Sequence, residues 1–498
     1  MSGPARGLDA CLWERNLALA NGKTGGMIAQ LLHRLDEIVW GPWLLGLLLG
    51  TGIFLMLKLR FLPLRRLGYA LRCVIGADGN GKDLGGRSSG GNVSPFASLT
   101  TELAATIGIG NIVGVATAMI LGGPGALLWM MAASVPGLAL KLVESTLSVK
   151  YRERNSRGEP VGGPMYTLRR AFPWRWAGKA LGGCYALLAV FASFGMGNMT
   201  QANSIADACL VTFGIPKAQS GLIFAIVTIL VILGGIRAIG SVTRVMVPFM
   251  GGFYLLGTLL VVVHNFANIP RGLVAILVMA FAPEAVTGGI LGNLTSTMML
   301  TMEKSLRYGV SRGVFSNEAG LGAGGITAAA ADTEDYIRQG YISMTGVFFD
   351  TIVICLMSGL AFASSGLVGT VTESGELLTG TALTIAVFAQ TFGVWGARFV
   401  SASIILFALA TIIAWAYQGE KAFEYLAGGR CSGVWYRFVY TLLVLAGAVC
   451  SLEVVWDFSD ICNGLMAVPN LICVLVLSCG RNGICGEIRK KDRGSSRS

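Results

Sequence analysis

The sequence predicts an all-α multi-pass membrane protein of about 11 spanning helices, arranged as two inverted halves of five helices that each begin with a broken helix. Three observations predict it: an apolar composition, apolar runs of membrane-crossing length, and two Gly-rich interruptions at membrane depth. The 498 residues are 54% hydrophobic and 13% charged, against about 25% charged in soluble domains, and mean hydropathy is +0.66. A net charge of +11 does not indicate a nucleic-acid binder, because the basic residues fall between apolar runs instead of gathering on one stripe. Of the eleven cysteines, Cys184, Cys209, Cys355, Cys450 and Cys473 stand singly inside apolar stretches and read as small core residues; no Cys-x-x-Cys pairing suggests zinc.

A span needs about 20 apolar residues. The runs that meet this lie near 38–58, 95–121, 124–147, 180–211, 219–236, 243–265, 306–332, 341–364, 395–417, 434–455 and 459–480. Residues 270–283 and 380–393 are too short to cross and read as interfacial or re-entrant helices. Before the first span, residues 1–37 form a polar leader or surface helix, since Arg15, Lys23, Arg34 and Glu37 interrupt any signal-peptide core. The organisation is therefore a leader (1–37), an extra helix (38–58), a first repeat (95–265), a second repeat (266–480) and a basic tail (481–498).

Orientation follows the basic loops. Lys58, Arg60, Arg65, Arg66, Arg72, Lys82 and Arg87 share one loop, and Lys150, Arg152, Arg154, Arg157, Arg169, Arg170, Arg175 and Lys179 share another. Loops of the other parity, at Gly122–Pro124, Ser364–Gly380 and Ser451–Asp457, carry no Lys or Arg. The basic loops and the C-terminus are expected in the cytoplasm and the N-terminus outside the cell inner membrane.

In the second span, Thr106-Ile107-Gly108-Ile109-Gly110-Asn111-Ile112-Val113-Gly114 sets three glycines and an amide at mid-membrane depth. Each Gly costs a helix about 1 kcal/mol relative to Ala, and an unwound turn frees backbone groups that lipid cannot satisfy. Such groups must face a protein cavity, where N–H groups suit a carboxylate and carbonyls suit a desolvated cation. The plainer reading is close helix packing through Gly110 and Gly114. The seventh span repeats the interruption from Arg312 to Gly325, now with Asn317 and Glu318. Interruptions heading two inverted halves mark a midplane transport site.

Four blocks carry a family likeness: Ala104 to Thr117; Gly122-Gly123-Pro124-Gly125-Ala126 with Trp129-Met130; Arg312-Gly313-Val314-Phe315-Ser316-Asn317-Glu318-Ala319-Gly320-Leu321-Gly322; and Trp415-Ala416-Tyr417-Gln418-Gly419-Glu420. Through them the chain resembles the alanine or glycine:cation symporter family, the sodium:alanine symporters, over residues 38–480. The resemblance implies a LeuT-like fold of five plus five helices, sodium coupling, and alanine or glycine as substrate. This chain departs from the family pattern at Ile109, where a Thr is usual, at Ala323-Gly324-Gly325, where Ser-Ala-Pro is favoured, at Ala410-Thr411, where Ser-Thr is favoured, and at Glu102, where a small residue is usual.

The candidate substrate site comprises the backbone of Gly108, Ile109, Gly110 and Asn111 for the carboxylate, with Gln201, Phe315, Ser316, Asn317 and Trp415 around it. Carried by the family match, Gln201 is a hydrogen-bonding pocket residue and Phe315 and Trp415 are walls. Gln201 otherwise reads as an interhelical packing bond, and each aromatic otherwise reads as core. Thr106, Asn111, Asn317 and Thr411 are candidate sodium ligands, since hard cations choose oxygen. Glu318 and Asp350 are expected to face the interior, where each neutralises the amine, ligates an ion, carries a proton or holds helices together. Glu102 is either a coupling carboxylate or, as the preferred reading, solvated near the cytoplasmic surface; Glu144 reads as a cap on the cytoplasmic end of the third span.

The function expected is import of a small neutral amino acid with sodium by alternating access, in a lipid bilayer, with no other cofactor and no obligate protein partner. Proton coupling and a channel are the alternatives. A membrane enzyme fits poorly, because His33 and His264 are the only histidines and neither lies in a break.

Overall fold

The computed structural model describes residues 23–77, 92–281, 285–286, 299–300, 302–371, 377–428, 433–450, 453–479 and 483–495. Most of the leader, Lys82 and Arg87, and the last three residues of the tail lie outside the described residues. Helix α1 (Lys23–Val39) precedes α2 (Pro42–Lys58), which starts on a proline at its first turn, where no N–H is needed, and ends on a lysine. The second span is split into α3 (Pro95–Thr106) and α4 (Val113–Leu121). Ser94 caps α3, its hydroxyl accepting the Ala97 N–H at 3.2 Å. Then follow α5 (Ala126–Lys150), α6 (Arg175–Phe194), α7 (Thr200–Phe213), α8 (Lys217–Ile232) and α9 (Gly235–His264).

The second half opens with α10 (Met302–Asn317) and α11 (Ala323–Ala328) around its own break. It continues through α12 (Tyr336–Val347), α13 (Leu356–Ser365), α14 (Val394–Leu426), α15 (Gly433–Val449) and α16 (Glu453–Ser478). Among the described residues, seven continuous helices are long and apolar enough to cross a membrane. With α8 and α15, of 16 and 17 residues, and the two split elements, they account for the eleven expected spans. The helices Ile269–Phe281 and Gly380–Phe392 have 13 residues each, about 20 Å at 1.5 Å per residue and too short to span.

Two helices that read as continuous in sequence contain a turn of wider π geometry, Gly195–Met199 between α6 and α7 and Phe348–Cys355 between α12 and α13. Such turns insert a residue without ending the helix and leave carbonyls free for side chains.

The surface inverts that of a soluble protein. Leu230, Val245, Phe249, Leu256, Val263 and Leu442 are exposed, whereas Glu102, Lys141, Glu144, Glu318 and Asp350 are at most 1% exposed. Ionisable groups so placed must pair inside the bundle. One sequence reading needs correction here. Cys184 and Cys450 are exposed on the outer surface, unlike the buried Cys209, Cys355 and Cys473, because the apolar phase surrounding the bundle accepts a thiol as readily as the core does. Between α5 and α6, a small hairpin of β1 (Glu153–Arg154) and β2 (Pro160–Val161) packs beneath the bundle, with Glu153 opposite Val161. Nearby, Arg152 donates to the Ala331 and Thr333 carbonyls, both at 2.7 Å, tying the basic loop to the end of the second break.

Candidate functional site

At the first break the chain leaves α3 at Ile107, passes through an extended Gly108, and makes one tight turn, Ile109–Asn111, before α4 begins. The Asn111 side chain stabilises this turn from within: its Oδ1 accepts the Gly108 N–H at 3.0 Å. Its Nδ2 donates to Asp350 Oδ1 at 2.7 Å and to the Asp350 carbonyl at 3.2 Å. As the first residues of the turn, Ile109 and Gly110 have N–H groups with no partner inside it.

Gly108 lies where three helices meet. A Cβ there would stand 2.6 Å from Thr411 Oγ1 and 3.5 Å from Gln201 Oε1, so the contact requires glycine. Gly110 faces the second break instead, where a Cβ would lie 3.5 Å from Phe315 and 3.6 Å from the Ser316 Cα. Gly108, Gly110, Asn111, Gln201, Phe315, Ser316 and Thr411 are thus gathered around one turn, with Ile109 buried beside them. The Thr411 hydroxyl donates to the Ala104 carbonyl at 3.0 Å, which sets two oxygens of the kind a hard cation chooses between α3 and α14. Gln201 donates Nε2 to the Met196 carbonyl at 3.1 Å, a bond that the wide turn before α7 makes available. Its Oε1, toward Gly108, is buried without a hydrogen-bond partner.

Other expected residues sit one layer back. Thr106 bonds to carbonyls of its own helix, Glu102 and Leu103, both at 3.3 Å. Asn317 donates to Thr351 Oγ1 at 3.0 Å and accepts the Ala319 N–H at 2.9 Å, so its amide serves the second break. Trp415 donates its indole N–H to Glu318 Oε1 at 3.0 Å; the ring packs on Gly197, where a Cβ would come within 2.5 Å of it. Asp350 accepts from Asn111, from Ser316 at 2.9 Å and from Thr351 at 2.8 Å. It therefore links the first break to the end of α10.

The second break is made by left-handed backbone at Glu318 (φ 54°), Gly320 (φ 90°) and Gly322 (φ 80°). For a residue with a Cβ this conformation costs about 1–2 kcal/mol, and the Trp415 bond offsets part of that for Glu318. Around this break stands a charge cluster that the sequence reading did not assemble. Lys141 Nζ lies 3.0 Å from Glu102 Oε1 and 3.9 Å from Glu144 Oε1, and 3.5 Å from the Asn317 carbonyl that ends α10. Glu144 Oε2 accepts the Gly320 N–H at 3.1 Å and the Asn470 amide at 3.0 Å, and Asn470 also donates to the Gly320 carbonyl at 2.9 Å.

Two expectations fall here. Glu102 is fully buried, not solvated at the cytoplasmic surface, because Lys141 neutralises it and Gly324 leaves it room: a Cβ there would lie 2.4 Å from Glu102 Oε1. Glu144 does not cap its own helix end; it holds the broken backbone of the seventh span. Lys141 carried a usable signal, a lone cation nine residues before the end of α5, too deep in an apolar run to be left without an anion.

A membrane bundle in which two broken helices meet back to back, one presenting free backbone groups and the other braced by buried charge, is the architecture of an alternating-access secondary transporter. The same fold occurs in MhsT in complex with L-phenylalanine, with a TM-score of 0.50 over 81% of this chain and 95% of that one, at 13% identity. The LeuT-like arrangement implied by the sequence is thus the one found. Residues 26–490 match the sodium:alanine symporter family. The sodium/alanine symporter AgcS of Methanococcus maripaludis is 43% identical over 466 residues, 93% of this chain and 98% of that protein. The probable sodium/glutamine symporter GlnT of Bacillus subtilis is 32% identical over 89% of this chain and 87% of its own length. The chain belongs to the sodium:alanine symporter family. It is a sodium-coupled amino-acid symporter and not an enzyme.

Proposed function

We propose that the chain imports alanine or glycine with sodium across the cell inner membrane, binding both at the first break. The observation that carries this reading is the unpartnered Gln201 Oε1 buried against Gly108. A buried acceptor left empty costs about 1–3 kcal/mol, and the ammonium of an amino acid supplies the missing donor. The carboxylate then lies on the Ile109 and Gly110 N–H groups, which need no Arg or Lys partner. Phe315, set against Gly110, limits the room for a substrate side chain, which favours alanine and glycine over glutamine.

Sodium sits between α3 and α14, on the Thr411 hydroxyl and the Ala104 carbonyl. Because Gly108 touches Thr411 and Gln201 together, ion and amino acid share one turn of backbone, and each raises the other's affinity. Asp350 positions this turn through Asn111 and does not itself meet the substrate. The N-terminus lies outside and the C-terminus inside, following the basic loops.

The test is uptake of radiolabelled alanine, glycine and glutamine into proteoliposomes under imposed sodium or proton gradients. Concentrative uptake of alanine or glycine driven by sodium is the expected result. Uptake driven by a proton gradient alone, or of glutamine in preference to both, overturns the reading. Gln201→Ala with unchanged alanine affinity overturns the placement of the amine.

A further inference from the structure

Away from the breaks, a cavity of about 290 Å³ opens between α3, α9 and the wide turn Phe348–Cys355. Leu99, Leu103, Ile107 and Ile354 form its buried floor, and Pro248 and Gly252 its exposed rim. Pro248 lies inside α9, and a Cβ at Gly252 would meet nothing within 4 Å. The space is open because two consecutive glycines, Gly251 and Gly252, follow the proline on a helix whose neighbouring residues Val245, Phe249 and Leu256 face outward.

The chemistry of the lining excludes water and the transported amino acid. A buried water needs two to four polar partners, whereas Thr100 is the only polar side chain among the lining residues, and its hydroxyl already donates to the Ala97 carbonyl at 3.1 Å. The mouth faces the apolar belt, where the mobile molecules are lipid tails. An exposed cation stands beside it: Arg244 lies one turn before Pro248, which lines the cavity, on the same face of α9. We infer that this cavity is a lipid site, taking one acyl chain of an anionic phospholipid whose phosphate rests on Arg244.

Its position gives the lipid a part in transport. Ile107 is both the floor of the cavity and the residue at which α3 ends in the first break. A chain packed there holds α3 against α9, and movement of α3 away from α9 changes the volume open to the chain. Bound lipid therefore biases the break toward the arrangement in which α3 packs on α9.

Photo-crosslinking tests this. The full-length protein is reconstituted in bilayers containing phosphatidylglycerol or phosphatidylcholine with a diazirine near the end of one acyl chain, and labelled peptides are mapped by mass spectrometry. Labelling by the phosphatidylglycerol probe should concentrate on Leu99, Leu103 and Gly252 over the outward face of α8. Gly252→Phe should lower it about tenfold, the factor carried by displacing two buried methylenes, and Gly251→Leu, a milder filling, should do so if the first variant does not fold. Arg244→Gln should abolish the preference for phosphatidylglycerol while tail labelling in the cavity persists. Labelling no stronger than on α8, or unchanged in a folded filling variant, overturns the site. Equal labelling by the two lipids in the unaltered protein overturns the headgroup assignment.

Discussion

The two breaks solve one physical problem in opposite ways. Both interrupt a helix at membrane depth, and both must satisfy freed backbone groups without water. The second is closed by side chains: Glu144 and Asn470 hold Gly320, and Lys141 lies beside the last carbonyl of α10. The first has no charged residue between Leu103 and Leu121; among the described residues its backbone is bonded from side chains by Asn111 and, just before it, by Thr411. On the function proposed, a break completed by protein is a fixed frame, and one left incomplete is the binding surface. The charges that resemble coupling groups in sequence therefore belong mainly to the frame.

Removing the central cation should break this contrast most severely. Lys141→Met leaves Glu102 and Glu144 buried without their counter-ion, at a cost of about 3–5 kcal/mol. Detergent-solubilised protein should lose thermal stability sharply, and adding Glu102→Gln should recover part of it. A stable Lys141→Met variant with intact uptake would dissolve the frame. Next in size, Asn111→Leu removes the Gly108 cap and the bond to Asp350 and should lower alanine uptake about a hundredfold, about 2.7 kcal/mol, while melting temperature falls less than in Lys141→Met. If stability falls as steeply as uptake, the first break is a frame too.

A smaller change separates ion from amino acid. Gly108→Ala sets a methyl against Thr411 Oγ1 and should weaken sodium about tenfold, or about 1.4 kcal/mol, read from the sodium dependence of alanine binding. Smallest, Ser316→Ala leaves Asp350 with Asn111 and Thr351 and should cost about 1 kcal/mol, a few-fold rise in half-saturating alanine with unchanged maximal rate. A fall in maximal rate instead would give Asp350 a direct part in the transport cycle.

The membrane fold was legible because hydropathy responds to length and composition alone, and both breaks announce themselves through glycine beside Asn111 or Glu318. What escaped depends on depth and on partners distant in sequence. Lys141 and Glu144 sit in a run that ends at Lys150, so a charge there reads as a helix terminus until the pairing across to Glu102 and Asn470 is known. The wide turns at Gly195–Met199 and Phe348–Cys355 keep the helix running, and the periodicity on either side conceals them. They nevertheless decide where Gln201 and Asp350 point. Trp415, a pocket wall by likeness, also bonds Glu318 at the second break, a link that sequence does not show.

Gly324 carries an implication for how substitutions combine. Two departures from the family pattern, Glu102 for a small residue and Gly324 for an alanine, touch each other: the carboxylate occupies the volume an alanine methyl would need. A methyl at position 324 and a carboxylate at position 102 therefore compete for one volume. Gly324→Ala should be harmful while Glu102 is present, and with Glu102→Ala it should be tolerated only if Lys141 finds another anion. The two positions are thus epistatic, and a survey of either by itself would record two unrelated substitutions.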